Sequence, residues 1–227
     1  MKMVVFEPHP DDLLFGPGPI LIDWIEENVH DIHVVTVTDG RACYRLGEDV
    51  MTEDTKNIPE EEVARMRLDE ARKAIRFLGI PEENHHLLRF HDADGQKYVK
   101  EAIEKVKPII KDADRLVLPS NNNKHVDHQA THDIAVGAAK SLELRDAEYF
   151  VYFIPSYGKF QEDSKDKQFE HVISEEKSKK LLEWLQIYQS QSRLKYTWKL
   201  YNRFLRKTRV VKYAIYSYDD IGKYYNF

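Results

Sequence analysis

Glu7-Pro8-His9-Pro10-Asp11-Asp12 places one imidazole and two adjacent carboxylates in a single short stretch. Adjacent carboxylates repel, and burying them costs more unless something positive sits beside them. A divalent metal is one remedy, and His with carboxylate is an ordinary ligand set for zinc. The alternative is an Asp-rich helix start, in which Asp11 or Asp12 satisfies orphan backbone N–H groups. A second set lies far along the chain. His125 and His128 flank Val126-Asp127, and His132 follows His128 by one helical turn. Spacings of three and four share a helix face, which is how helices present ligands. Alone, this set is equally readable as a polar helix start with Asp127 set against the macrodipole.

The surrounding residues say what must hold these groups. The apolar run Met3-Val4-Val5-Phe6 precedes the first set, and Gly16-Pro17-Gly18-Pro19 follows it, giving strand, tight loop, helix. Ile20 to Ile25 is the apolar core of that helix, which ends near Asn28. The β-branched run from His33 to Thr38 reads as a strand buried on both faces. A polar loop from Arg41 to Ile58 follows. A helix from Pro59 to Leu78 opens on three glutamates and stops at Gly79. Strands are expected at His86–Phe90, Arg115–Pro119 and Tyr149–Ile154, with helices from Lys97 to Ile110 and from Val126 to Leu142. Residues 158 to 172 read as a polar loop. A helix from Glu175 to Tyr188, another between Arg193 and Lys212, and a strand from Val210 to Tyr218 complete the chain.

Strands alternating with helices imply an α/β fold, with a Rossmann-like, doubly wound, mostly parallel sheet. In the common order 3-2-1-4-5, the loops after strands one and four flank the switch-point crevice, where ligands bind. Both chemical sets fall in those two loops. Their convergence points to a His2Asp zinc site with an open coordination position. On the long helix, Arg67 and Glu70 lie inside the apolar stripe of Val63, Met66, Ala71, Ala74 and Leu78, not opposite it. Either they pair at i,i+3, or Arg67 reaches into a pocket.

The 227 residues suit one soluble domain, taken as 1–227. Cys43 is the single cysteine, so any metal must rest on His, Asp or Glu. The net charge of -5 gives no support to nucleic acid as a partner. No run approaches a membrane span and the N-terminus lacks a signal-peptide pattern, so a cytoplasmic protein is expected.

The chain resembles the LmbE/PIG-L family of zinc-dependent N-deacetylases. The resemblance rests on His9-Pro10-Asp11-Asp12 with Gly16 and Gly18, on Leu118-Pro119 through His128, and more weakly on Val34 to Gly40, on Arg67 with Glu70, and on Ser190-Gln191 after the late helix. Leu13 stands where the family often has Glu, and Val126 where it often has Pro; neither change removes a ligand. The resemblance implies a three-layer LmbE-like fold and Zn2+ held by His9, Asp12 and His128. It implies Asp11 as general base, with His125, oriented by Asp127, steadying the oxyanion or protonating the leaving amine. Arg67 would hold substrate hydroxyls. Asp92, with Asp94 as its rival, would be the carboxylate after strand three. The implied reaction removes acetyl from an N-acetylated amino sugar, a small-molecule conjugate of N-acetylglucosamine type. Metal-dependent phosphoester hydrolysis is the alternative reaction. A non-catalytic domain that binds a sugar conjugate or a lipid surface is the alternative class.

From Arg193 to Lys212 there are eight Lys or Arg and no Asp or Glu. A solvated ridge or a contact in a homo-oligomer is the first reading. A membrane surface is the second. His85, His86 and His91 read as surface or loop groups, and His132 as a structural helix histidine.

Overall fold

The computed structural model describes residues 1–28, 30–45, 51–154, 167–195 and 197–221. In chain order the elements are β1 (Lys2–Glu7), α1 (Asp12–Phe15), α2 (Gly18–Glu27), β2 (Asp31–Thr38), α3 (Glu53–Lys56), α4 (Glu60–Leu78), β3 (His85–Phe90), α5 (Val99–Ile110), β4 (Arg115–Pro119), α6 (Val126–Ser141), β5 (Glu148–Tyr152), β6 (Gln168–Val172), α7 (Glu175–Leu185), α8 (Gln189–Ser192), α9 (Thr197–Lys207) and β7 (Val210–Tyr216). One seven-stranded sheet runs β3-β2-β1-β4-β5-β7-β6. The first five strands are parallel, and β7 pairs antiparallel with both β5 and β6.

Strand alternation builds a core on each face. On β1, Met3 and Val5 join α2, α4 and α7 on one side, while Val4 and Phe6 join α5 and α6 on the other. All four are fully buried, as expected for a central parallel strand. α4 begins after Pro59 with Glu60, Glu61 and Glu62 in its first turn, and ends at Gly79 in the left-handed region, φ 73°.

Two loop readings need correction. Residues 158 to 172 are not all loop, because Gln168–Val172 forms edge strand β6; residues 155–166 lie outside the described residues. A polar edge strand exposes little apolar pattern, and of this one Phe169 packs against the core. The segment from Arg41 to Ile58 also carries structure: a 3-10 turn at Arg41–Arg45, with Cys43 and Tyr44 buried, and the short α3. Residues 46–50 fall outside the description.

Strand order reverses between β1 and β4, so their carboxyl ends open the crevice of the sheet. The loop after β1 carries His9 to Asp12. The loop after β4 carries Asn121 to His125 and leads into α6.

Candidate metal centre and pocket

Asp12 sits at the middle of the crevice. Its Oδ2 lies 2.8 Å from His9 Nδ1 and 3.3 Å from His128 Nε2. The ligand atoms of His9, Asp12 and His128 all lie within 4.8 Å of one another, and all three residues are buried. One carboxylate oxygen and two imidazoles on rigid elements fit a divalent cation of the zinc type. Burial works against ionising Asp12, but the His128 and His9 rings outweigh it and hold its carboxyl well below the usual range.

The other edge of the His9 ring meets a different pair. His9 Nε2 is 3.1 Å from Asp92 Oδ1 and 3.1 Å from Asp127 Oδ2. Carboxylates on Nε2 fix the ring's tautomer and leave Nδ1 for the cation, the usual support for a metal-ligating histidine. The same Asp127 Oδ2 lies 3.8 Å from His125 Nδ1. Its oxygens also accept the N–H groups of Ala93 and Gly95, each at 2.7 Å. Gly95 is needed there, because a Cβ would stand 2.6 Å from Asp127 Oδ1. Asp92 in turn accepts the Ala42 N–H at 3.1 Å.

Asp11 meets a different partner from Asp12. It precedes α1 but makes no side-chain cap bond, so the helix-cap reading does not describe it. Arg67 donates from Nη2 to Asp11 Oδ1, and from Nη1 to the Gly40 carbonyl at 3.1 Å. Gly40 must be glycine, with φ +68° and room for no Cβ, which would meet Arg67 Nη1 at 2.5 Å. The Arg67–Glu70 pair does not form. Glu70 instead accepts from the Ser190 N–H (2.7 Å) and hydroxyl (2.6 Å). Burial raises the Asp11 carboxyl above its ordinary value, against the pull of Arg67.

His125 stands edge-on to His9, with ring centroids 4.7 Å apart. Burial pushes it down to about 4, and the neighbouring His9 and His128 rings add to the effect. His132 bonds the Pro119 carbonyl at 2.7 Å and lies outside both clusters. Asp94 pairs with Lys97, away from the pocket.

Two contributors escape sequence reasoning. Asn123 accepts the His125 N–H (2.8 Å) and sits 3.0 Å from His128 Nδ1, so it sets both histidines. The run of three asparagines was its only signal. Glu7 is buried beneath the loop and accepts the Thr36 hydroxyl (2.6 Å) and the Leu13 N–H (3.0 Å). Burial pushes its carboxyl up to about 8. A pocket opens over these groups, and its lining includes Asp11, Arg67, His125, Gln191 and Tyr201.

No curated protein matches the chain by sequence. Among solved structures, an N,N'-diacetylchitobiose deacetylase from Pyrococcus horikoshii superposes with TM-score 0.72 at 18% identity, covering 96% of this chain and 85% of that one. A deacetylase triple mutant from the teicoplanin biosynthetic pathway gives TM-score 0.72 at 19% identity, covering 97% and 100%. The A40926 pseudoaglycone deacetylase Dbv21 gives 0.68 at 18%, covering 96% and 97%. At these identities the likeness establishes the fold. The family model described as PIG-L, GlcNAc-PI de-N-acetylase, matches residues 4–139, a span that holds both halves of the cluster. The chain belongs to that PIG-L family, and it is a hydrolytic N-deacetylase.

Proposed function

We propose that the protein is a zinc-dependent hydrolase that removes acetyl from an N-acetylated amino sugar of N-acetylglucosamine type. His9, Asp12 and His128 hold the zinc. When bound, zinc supplies a Lewis acid that makes a water nucleophilic near neutral pH and polarises the amide carbonyl. Asp11 takes the proton of the attacking water as its oxygen bonds to the amide carbon. His125 donates a hydrogen bond to the carbonyl oxygen as that oxygen gains charge. The C–N bond then breaks, Asp11 passes the proton to the departing nitrogen, and acetate and a free amine result. Asp127, with Asp92, keeps His9 in the ligating tautomer. Arg67 uses two N–H contacts to fix Asp11 and Gly40, and its remaining donors serve a substrate hydroxyl.

One observation carries this reading. His9 and Asp12 of the His9–Asp12–His128 cluster line the pocket, and Asp11 lines it beside them, held by Arg67. A two-metal phosphoester reaction suits the site less well, because the second acidic cluster, of Asp92, His125 and Asp127, shares His9 with the first. Among the described residues no helix is long and apolar enough to cross a membrane. The test is amine and acetate release from a panel of N-acetylglucosamine conjugates, with and without a chelator, beside elemental analysis of protein purified without added metal. Chelator-sensitive release is the expected result. Release that a chelator leaves untouched would overturn the metal assignment.

A further inference from the structure

Glu7 ends β1, is 2% exposed, and has no task in the proposed reaction. Its carboxyl group is held by the Thr36 hydroxyl and the Leu13 N–H, and among the described residues by no cation. Burying a carboxyl group without a cation is costly, so its retention here asks for a reason.

The Leu13 N–H supplies one. α1 opens at Asp12, so Asp11 is the N-cap residue and Leu13 the second residue of the helix. An aspartate at the N-cap ordinarily gives its carboxylate to the N–H of the second or third residue. Here both donors are already taken. The Leu13 N–H goes to Glu7 Oε2 at 3.0 Å, and the Leu14 N–H goes to the Asp11 backbone carbonyl at 3.2 Å. The first N–H, of Asp12, bonds the His9 carbonyl at 3.1 Å. No donor of the helix start calls on the Asp11 side chain, which makes no cap bond. It is left to Arg67 and to the pocket that it lines.

Glu7 is itself aimed from β2. Thr36 lies opposite it in the parallel ladder. With its hydroxyl proton given to Glu7, the Thr36 oxygen accepts from His85 Nε2, 2.9 Å away. Leu13 is 1% exposed, so without Glu7 its N–H would be a buried orphan. Asp11, already at the capping position, is the side chain placed to take it.

We infer that Glu7 is a positioning residue: it caps α1 in place of Asp11, and so keeps the Asp11 carboxylate free to act as the base. The inference rests on the role proposed for Asp11 above.

The test has two readouts on the full chain. The first is amide exchange at Leu13, followed by NMR on metal-free protein, which needs no turnover. Asp11→Ala should stay within about threefold of the parent rate, because Glu7 holds the N–H. Glu7→Leu should do likewise, because Asp11 moves onto it. The two together should exchange faster by about tenfold or more, since no cap is left. The second readout is turnover of N-acetylglucosamine conjugates, with metal content measured beside it. Glu7→Leu should keep its metal and lose about tenfold in turnover, part of the roughly 10²–10⁴-fold that a base supplies. In an Asp11→Asn background the same change should alter turnover by less than about twofold, because the base is already gone. Glu7→Gln should recover most of the loss, since its amide oxygen still accepts the Leu13 N–H while its NH2 donates to Thr36.

Fast exchange at Leu13 in Glu7→Leu with Asp11 intact would overturn the inference. So would slow exchange in the doubly substituted chain, or a turnover loss that persists in full in the Asp11→Asn background. If exchange follows the expected pattern but the parent hydrolyses no conjugate, the cap stands and the fault lies with the proposed reaction.

Discussion

The two walls of the pocket are built to different standards. On the reaction side, each group answers to several partners. Asp127 meets two loop N–H groups and His9, Asp12 meets two imidazoles, and Arg67 bridges Asp11 and Gly40. On the far side, Glu70 and Tyr44 hold the turn firmly, yet the Gln191 amide is left without a partner. The first wall is over-determined because charges buried there must stay paired when no substrate is present. The second holds one buried side-chain nitrogen, Gln191 Nε2, without a hydrogen-bond partner.

The largest effects belong to the first wall. His128→Ala or Asp12→Ala removes a ligand, and metal content and turnover should be lost together. Asp11→Asn keeps size and hydrogen bonding but cannot accept a proton. Its metal should stay bound while turnover falls by about 10²-fold or more, with little change in substrate affinity. Metal analysis beside single-turnover rates separates the two outcomes. If Asp11→Asn sheds its metal and Asp12→Ala keeps it, the assigned roles are reversed.

Next in size is Asp127→Asn. Since Asp127 serves the far nitrogen of His9, its loss should lower metal affinity about 10–100-fold, the range known for partners that orient a ligand. A titration against a competing chelator measures it. An unchanged metal affinity with an altered His125 response would mean that Asp127 serves His125 after all.

How much of this was legible beforehand follows from the reach of each interaction. The strand order 3-2-1-4-5 and the meeting of the two loops could be read because burial on both faces leaves long β-branched and apolar runs, and because ligand residue types are rare enough to notice. The partner of Asp127 could not be read. Its neighbour in sequence is His125, but its neighbours in space include His9, Ala93 and Gly95, from two other segments. Arg67 was recognisable as a buried cation, while its partner Asp11 lies 56 residues away. Glu7 heads the motif, but only packing beneath the loop puts it against Leu13 and Thr36. Strand β6 was missed because its sequence, QFEHV, places mainly polar residues at an edge.

A moderate effect is expected from Arg67→Lys. The ammonium keeps the charge but loses the fork that spans Asp11 and Gly40. Catalytic efficiency should drop about tenfold, the order of one lost charge-assisted hydrogen bond. The melting temperature should change less than it does in Glu70→Gln, which loosens the turn that carries Gln191. Equal efficiency with a lower melt would make Arg67 a structural residue.

The smallest effect separates the walls by pH. Residues 190 to 201 contain no histidine, whereas α6 carries His128 and, one turn on, His132. His132 is fully buried, and burial lowers it from 6.5 to about 4, only partly opposed by its bond to the Pro119 carbonyl. Its folded value thus lies below its unfolded one. Between those values the unfolded chain binds the proton and the native chain does not. The contribution of His132 is fully present above about pH 6.5 and is lost as pH falls toward 4. Within that window one such group contributes at most about 1.4 kcal/mol per pH unit to the slope. Other groups titrate in the same range, and buried Glu7, raised to about 8, acts with the opposite sign. The measurement is therefore a difference. Denaturant midpoints of chelator-treated parent and His132→Gln are followed from pH 7 down to pH 5, and the parent should lose stability faster on acidification. Parallel slopes would show that His132 carries its proton in the folded protein as readily as in the unfolded chain. The burial of α6 against the sheet would then be looser than its contacts imply.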